Sequence, residues 1–311
     1  MKKLILIIYT LFSLSTIYAQ QNKKGLYVGD TFQGEMDLYD ALDWITLNAV
    51  EGEEYSIVLS DNLAASSNVL DCNGKSVTIS LKSSGSEIQL SYATRSPSSS
   101  LFTVKKGVTF VLENGVSLIG RSTASRPPVT VDGGIFIMNG GGIRDSKVDH
   151  SESWYGGGVD ILSNGTFIMN AGKISGNSAP AGGAGVYVSE NATFVMNGGN
   201  IGNNYTKEFG RGGGVSVRGS FAMFGGSISN NSGRKDLNWG GGVYIANGGT
   251  FVLHDGTISN NSGGGICIDG EKNFFGSSGG NATMNGGTIS SNSVSRIGGG
   301  WSVCKRFVYH E

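Results

Sequence analysis

Apolar and polar positions repeat along most of the chain with a period of about 30 residues, within the range that is typical of solenoids. A short Phe-x-Met motif recurs at residues 136–138, 167–169, 194–196 and 221–223, and as Phe-x-Leu at 251–253. Five residues after each motif there is an isoleucine, and Ile289 continues this series, which comprises Ile143, Ile174, Ile201, Ile228, Ile258 and Ile289. The position numbers of successive isoleucines differ by 31, 27, 27, 30 and 31. Such regular spacing indicates a solenoid of stacked repeats.

Each repeat also contains a third short motif, which is rich in glycine and then alternates apolar-x-apolar. It lies at residues 159–161, 186–188, 215–217, 243–245 and 266–268. Strand side chains alternate between two faces, so one face of every strand is apolar, and a single repeat cannot bury it. Stacking the next repeat about 4.8 Å away buries that face and pairs the backbone. We therefore predict an all-β fold, a right-handed parallel β-helix solenoid with three short strands per coil.

Three residues after each isoleucine of this series from Ile174 onward there is an asparagine, and these residues are Asn177, Asn204, Asn231, Asn261 and Asn292. Asparagine tolerates the left-handed conformation of a turn, and its amide can hydrogen-bond along a stack. We interpret these residues as a structural ladder and not as a binding site. The Gly-Gly pairs at 140–141, 198–199, 225–226 and 286–287 predict a second corner, at which the chain turns without a Cβ.

The segment before the repeats predicts a cap. Leu38, Ala41, Leu42 and Ile45 have helical spacing behind Asp37, which can cap the N-terminus of a short amphipathic helix. Such a helix at the open end of the solenoid would shield core side chains and a strand edge. Weaker coils are predicted at residues 55–59, 76–81 and 88–90, and again at 101–104, 109–112 and 116–119.

The first residues have the layout of a secretory signal, with Lys2 and Lys3, an apolar run over 4–14 and a small-residue end at Ala19. We expect cleavage after Ala19 and an exported protein, either extracellular or associated with the outer membrane. The apolar run is too short for a bilayer, and no later stretch approaches the roughly 20 apolar residues of a transmembrane helix. The cleavage point has no cysteine, so we do not expect a lipid anchor there.

These features divide the chain into four regions. Residues 1–19 are the signal peptide, 20–100 the N-terminal cap helix and irregular first coils, and 101–300 the β-helix repeat domain. Residues 301–311 fit no repeat and are either an incomplete last coil or a truncated end.

The glycine content, net charge and cysteine count exclude several classes of function for this chain. The 52 glycines with only four prolines, and the regular apolar residues between them, favour ordered repeats over a disordered linker. Without the two lysines of the signal, the chain has 21 basic and 24 acidic residues, a net charge of −3, which argues against nucleic acid as a partner. Three scattered cysteines, Cys72, Cys267 and Cys304, suit neither a disulfide framework nor a zinc site. We predict unreactive thiols, no metal and no cofactor.

The segments Gly-Gly-Gly-Val-Tyr-Ile (240–245), Gly-Thr-Phe-Val-Leu (249–253) and Gly-Thr-Ile-Ser-Asn-Asn (256–261) resemble known repeats. They are similar to those of bacterial adhesin-like and polymorphic-outer-membrane-protein-like surface proteins, on a scaffold similar to that of pectate lyase. The resemblance covers residues 133–300 and implies a β-helix. It implies little about chemistry, since one scaffold hosts lyases, hydrolases, adhesins and passive stalks.

A catalytic site is not evident in the repeats. A polysaccharide lyase on this scaffold needs clustered acids for calcium and a nearby base, whereas the outward positions of the third motif are Asp160, Tyr187, Ser216, Tyr244, Cys267 and Ser302. A glycosidase needs two carboxylates roughly 5 to 10 Å apart, and the nearest candidates, Asp255 and Asp269, lie in turn-like sequence. His254 replaces an asparagine of neighbouring repeats and suggests a tolerated surface substitution. We therefore predict no enzymatic activity.

Binding residues are expected at one variable corner. From the start of the third motif to the ladder asparagine, the position number rises by 18, 18, 16 and 18 in four successive repeats. From that asparagine to the next motif it rises by 9, 11, 12 and 5, so the length varies mainly there. Insertions on this edge carry aromatic residues beside charges, which suits glycan stacking or protein contact. These residues are Trp154, Tyr155, Tyr205, Phe209 and Trp239. The alternative is that they only cover the corner of the core.

The outward face of the third motif, with Tyr187 and Tyr244, is a second candidate for ligand binding, and its alternative is an ordinary solvated sheet face.

The sequence as a whole favours a non-enzymatic, monomeric, exported β-helix with a role in adhesion, display or spacing. Its partner would be a glycan or a protein of a host or cell surface. The alternatives are a carbohydrate-active enzyme or carbohydrate-binding module on the same scaffold, and a truncated fragment of a longer surface protein.

Overall fold

Each coil of the chain contributes one short strand to each of three parallel sheets, and the coils stack into a β-solenoid of about eight turns. The computed structural model describes residues 23–93, 99–149, 156–207, 210–233, 240–269 and 279–294, together with the backbone of 308–309. The predicted signal peptide and most of the last eleven residues lie outside this part of the chain. The prediction of a nearly all-β fold with three strands per coil is confirmed.

The Phe sheet contains the Phe-x-Met strands and has twelve members. Its strands are Gly25–Val28, Thr31–Gly34, Glu54–Leu59, Val77–Ser83, Val108–Leu112, Ile135–Met138, Thr166–Met169, Thr193–Met196, Ser220–Met223, Thr250–Leu253, Asn281–Met284 and Val308–Tyr309. The first two form an antiparallel hairpin that pairs with Glu54–Leu59, and all later neighbours are parallel.

The Ile sheet follows the Phe sheet within each coil. Its strands are Leu63–Ala65, Ile88–Tyr92, Val116–Ile119, Gly142–Arg144, Lys173–Ser175, Asn200–Gly202, Ser227–Ser229, Thr257–Ser259 and Thr288–Ser290. The Val sheet completes the coil. Its strands are Asn68–Leu70, Phe102–Lys105, Val129–Asp132, Val159–Ile161, Val186–Val188, Val215–Val217, Val243–Ile245 and Ile266–Ile268.

Equivalent residues of successive coils pair in register, so the core consists of continuous columns. Phe167 pairs with Phe194, and Met169 pairs with Met196, on adjacent strands. The centroids of successive rings from Phe110 to Phe251 are 4.5 to 5.6 Å apart. These rings are at most 1% exposed. The predicted interior columns are therefore confirmed, and each side chain is packed against its counterpart one coil away.

The corner between the Phe and Ile sheets depends on glycine. The second residue of the Gly-Gly pairs has a positive φ, for example 83° at Gly226. A Cβ at Gly226 would lie 2.6 Å from the carbonyl oxygen of Gly199 in the preceding coil. Both the conformation and the close approach require glycine here, which confirms the prediction for this corner.

The five asparagines after the Ile sheet form a buried hydrogen-bonded column. Asn204 is representative. Its Nδ2 donates to the carbonyl of Ile174 at 3.0 Å and to Oδ1 of Asn231 at 3.0 Å. Its backbone N–H also donates to Oδ1 of Asn231, at 3.0 Å. The side chain thus satisfies backbone groups of the corner and joins adjacent coils.

The structure corrects one detail of this ladder. The residue in the left-handed conformation is not the ladder asparagine but the residue before it, as at Asn203, Asn230 and Asn260, with φ of 56° to 58°. The left-handed residue makes the turn, and this leaves the ladder asparagine free to direct its amide into the core.

A short helix, α1 (Leu38–Asn48), lies at the N-terminal end of the solenoid, as predicted. Oδ1 of Asp37 accepts hydrogen bonds from the N–H groups of Tyr39 and Asp40, at 2.8 and 3.0 Å, which caps the helix. Its buried residues, Leu38, Ala41, Leu42 and Ile45, belong to the same core as the first coils. The helix therefore covers core side chains that the first coil would otherwise expose.

The buried ladder generates a prediction about stability. Substitution Asn231→Ala removes the donor that its Nδ2 provides to the carbonyl of Ile201 and the acceptor that its Oδ1 provides to the backbone N–H of Asn204, both in the buried column. We expect the free energy of unfolding, measured by urea denaturation, to fall by roughly 3 kcal/mol.

The matched control is Asn197→Ala. Asn197 also bonds to an asparagine of the adjacent coil, Asn170, at 2.8 Å, but on the exposed surface. Its removal should change the free energy of unfolding by less than about 0.5 kcal/mol. Equal losses for the two variants would contradict the structural role of the buried ladder.

Candidate functional site

The outer face of the Val sheet is covered by the described parts of the return segments, which lead from the ladder asparagines back to the Val strands. Part of this return forms a short parallel pair, Ser178–Ala179 with Tyr205–Thr206. At Gly183 the return runs so close to the sheet that a Cβ would lie 2.8 Å from Cα of Tyr187. The outward residues beneath the return segments are at most 5% exposed, namely Asp160, Tyr187, Ser216, Tyr244 and Cys267.

This covering contradicts the alternative of an ordinary solvated sheet face for Tyr187 and Tyr244, whereas ligand binding by these residues stays a prediction. Their sheet face is not solvated, and the two residues are 5% and 4% exposed. Burial raises the pKa of Tyr187 to about 12, although the positive charge of Arg218 favours the ionised form. A ligand cannot reach either ring unless the return segment moves. The apolar-x-apolar alternation of the Val strands gave no sign of this second layer, because the covering residues are mostly glycine, serine and alanine.

Asp160 is the most unusual residue under this layer. It is fully buried, and neither carboxylate oxygen has a well-formed hydrogen bond. Burial raises its pKa to about 7, while the charge of Arg126 and the amide of Gly156 favour the ionised form and offset this only in part. The residue at the same position of the adjacent strand is Tyr187, which is also titratable. A carboxyl in these surroundings is held protonated below neutral pH.

A second polar cluster joins three coils at the other end of the same face. The guanidinium of Arg211 donates to the hydroxyl of Tyr244 at 2.6 Å, and that hydroxyl donates to Oδ2 of Asp269 at 2.6 Å. Arg211 also lies 3.4 Å from the same carboxylate oxygen and 5.2 Å from the centroid of the Tyr244 ring. Burial and the hydrogen bond to Asp269 both raise the pKa of Tyr244. The raised pKa keeps this hydroxyl neutral. Because Arg211 lies on the return segment and Tyr244 on the sheet, the cluster joins the two layers.

The aromatic residues of the variable corner are only partly described. Tyr205 lies on the second layer and is 38% exposed. Trp154, Tyr155, Phe209 and Trp239 lie outside the described residues, so their role at this corner stays a prediction. Where the corner is described, Lys207 forms an ion pair with Asp149 across two coils.

A second asparagine ladder runs along the exposed surface at the Gly-Gly corner. Asn139, Asn170 and Asn197 are joined by side-chain hydrogen bonds of 2.9 and 2.8 Å. The next two coils replace this pattern with Phe224 and His254, whose rings stack with centroids 4.4 Å apart and planes 4° from parallel. His254 is thus not an isolated substitution, because the neighbouring Phe224 compensates for the lost amide contact. The sequence signal for this pair was that two adjacent repeats, with Phe224 and His254, both lack the asparagine found at this position in other repeats.

The two carboxylates considered for glycoside hydrolysis lie in different surroundings. Asp255 is exposed and accepts from the N–H of Gly256 at 2.7 Å, whereas Asp269 belongs to the Arg211 cluster. A third acid, Asp160, lies on the same sheet face as Asp269 but four coils away, about 19 Å at the usual strand spacing. That separation is well beyond the roughly 5 to 10 Å of a glycosidase pair. In the described ranges, no group of three or more His, Cys, Asp and Glu residues is arranged to hold a metal ion.

The cysteines in the described part of the chain, Cys72 and Cys267, are buried and form no disulfide. Burial raises the pKa of the Cys72 thiol, and the adjacent Asp71 carboxylate adds to this effect. A thiol that is protonated and buried is poorly reactive. Cys304 lies outside the described residues.

No protein-family model, curated protein or solved structure matches this chain. Within the described residues, no helix is long and apolar enough to span a membrane.

Asp160 generates a prediction about pH. Its pKa in the fold is about 7, above the value of 3.8 for an ordinary aspartate, so folding favours the protonated form. The unfolded chain releases this proton near pH 4, and the fold therefore loses stability as the pH rises from about 4 to about 7. Asp160→Asn removes the ionisation while preserving the shape. The stability of the variant relative to wild type, measured by urea denaturation, should rise by up to about 4 kcal/mol between pH 4 and pH 8.

Asp255→Asn is the matched control, because Asp255 is exposed and bonds only to a neighbouring backbone amide. Its relative stability should change little over the same range. A pH profile of Asp160→Asn parallel to that of wild type would show that Asp160 is ionised in the folded protein and would contradict this assignment.

Proposed function

We propose that the chain is a non-enzymatic, exported β-helix protein that presents its outer faces at or beyond the cell surface, in adhesion, display or spacing. The observation that carries this proposal is the unbroken register of the coils, which places similar side chains at the equivalent outward positions of successive coils. About eight coils at the usual strand spacing make a rod of about 40 Å. Such a rod is stiff and repetitive, as a spacer or a display scaffold requires.

The outer face of the Phe sheet illustrates the repetition. One outward column is hydroxyl-bearing, with Thr166, Thr193, Ser220 and Thr250, and the adjacent outward column is aliphatic, with Ile168, Val195, Ala222 and Val252. A linear array of equal groups suits many weak contacts with a repetitive partner, in which avidity replaces one strong site. The resemblance of the repeats to bacterial adhesin-like proteins on a pectate-lyase-like scaffold supports the same role.

The second candidate is a carbohydrate-active enzyme on this scaffold. Asp160 has the raised pKa that a general acid needs. However, a general acid must contact its substrate, and this carboxyl is fully buried beneath the return segment. The best candidate acid in the described chain is therefore a poor catalyst, which favours the non-enzymatic role.

The test has two parts, of which one concerns location and one concerns activity. The full chain, and a variant lacking residues 2–19, are expressed in a Gram-negative host and located by fractionation and by protease treatment of intact cells. We expect only the full chain to be exported. The purified chain from Gln20 is then incubated with polysaccharides, with and without calcium, and assayed for both binding and cleavage. Cleavage of any polysaccharide, or retention of the full chain in the cytoplasm, would refute the proposal.

A further inference from the structure

One coil has a shorter turn than its neighbours between the Val and Phe sheets. The turns at residues 162–165, 189–192 and 246–249 contain four residues each, whereas the turn between Val217 and Ser220 contains only Arg218 and Gly219. The strand that follows remains in register, because Ser220 pairs with Thr193 on one side and with Thr250 on the other. The missing two residues therefore leave a gap in the stack of turns.

The flanking turns are well formed and stand on both sides of this gap. In each, the fourth residue donates to the carbonyl of the first, from Ala192 to Ser189 at 3.1 Å and from Gly249 to Ala246 at 2.9 Å. Their tips are two coils apart, about 9.6 Å at the usual strand spacing. The space between them forms an open notch of about 680 Å³. Ligand pockets in proteins commonly have volumes of about 300 to 1,000 Å³.

The notch is lined by groups that both donate and accept hydrogen bonds. The guanidinium of Arg218 lies 3.6 Å from a carboxylate oxygen of Glu190, and their side chains are 36% and 73% exposed. Asn191 and Asn247 line the same space, one from each flanking turn. Thr193, Ser220 and Thr250 border it on the Phe sheet, where the hydroxyl of Thr250 donates to that of Ser220 at 3.2 Å.

This set of groups matches the chemistry of a sugar. A guanidinium presents a fork of donors, a carboxylate presents two acceptors, and an amide presents both, so neighbouring hydroxyls of one ring can be bound together. One positive and one negative charge in the notch leave it without net charge, which favours a neutral ligand over an anion. A Cβ at Gly248 would meet no atom within 4 Å, so a ring has room to approach the backbone at this wall.

We propose that this notch, defined by Glu190, Asn191, Arg218 and Asn247, binds a residue of a neutral glycan. The site adds a ligand class to the proposed surface role, and binding by the purified chain does not depend on where the protein is located. It lies at the corner between the Val and Phe sheets, away from the variable corner with its aromatic residues. The repeat itself is what makes it a site, since the two-residue turn at Arg218 and Gly219 lies between the four-residue turns of the two adjacent coils.

The repeat also supplies the experiment. A graft in which the Ala-Asn-Gly-Gly turn of 246–249 replaces Arg218 and Gly219 restores the common turn length and fills the notch. As a matched control, the same four residues replace the turn at 162–165, which changes its sequence but not its length. Binding is measured by calorimetry against neutral hexasaccharides from β-glucan, xylan, mannan and α-glucan, with an oligogalacturonate as the acidic comparison.

We expect wild type and the control graft to bind at least one neutral hexasaccharide with equal affinity, and the notch graft to bind it at least tenfold more weakly. The variants Arg218→Ala and Glu190→Gln should show a similar loss, and they keep the test informative if the graft does not fold. Equal binding by the graft and the point variants would overturn the proposal and place glycan binding on another face. The absence of binding to every neutral hexasaccharide, or preference for the acidic one, would overturn it as well. Export and the absence of cleavage test the surface role separately.

Discussion

In-register stacking of parallel coils at one strand spacing is the constraint on which the structure depends. Each residue in a coil must pack against, or hydrogen-bond to, the residue at the same position in the coils above and below. Phenylalanine stacks on phenylalanine in the core, and asparagine bonds to asparagine at the corner after the Ile sheet. The constraint also explains why the same residue types return every 27 to 31 positions, since a smaller side chain in the core columns leaves a void and an apolar one in the buried asparagine column leaves an unpaired polar group.

The same constraint explains where the chain can vary. Length can change only at corners, because a residue added within a strand would move every later side chain to the opposite face. Between the ladder asparagine and the Val sheet, the return segments differ in length and form a second layer. Between the Val and Phe sheets, the connection ranges from two residues at Arg218 and Gly219 to twelve residues between Ile268 and Asn281. Positions that depart from the repeat without disturbing the register are therefore the places to look for function.

The fold could be predicted from the sequence because its causes are local and repeated. The Phe-x-Met strands, the Gly-Gly corner, the capped helix at Asp37 and the asparagine column each follow from residue type and spacing. The covering of Tyr187, Tyr244 and Asp160 could not be predicted, because strand alternation shows that a side chain points away from the core but not what lies beyond it.

The sequence showed that one repeat is shorter than its neighbours but not which turn is shortened. The position number rises by 16 from Val215 to Asn231, whereas it rises by 18 from Val186 to Asn204 in the preceding repeat. This difference shows that two residues are missing but not where in the coil they are missing. Only the structure showed that they are absent from a turn and that their absence leaves a notch.

Disulfide cross-linking between adjacent coils tests the stacking register most directly. Cysteines that replace Thr193 and Ser220, which pair on neighbouring strands, should be about 5 Å apart at Cα, within the range for a disulfide. Cysteines that replace Thr193 and Ala222, on the same face but two residues out of register, should be about 8 Å apart, beyond that range. Mild oxidation of the purified double variants, followed by gel mobility and peptide mapping, distinguishes the two cases. We predict rapid cross-linking of the first pair alone, and preferential cross-linking of the second pair would contradict the in-register stack.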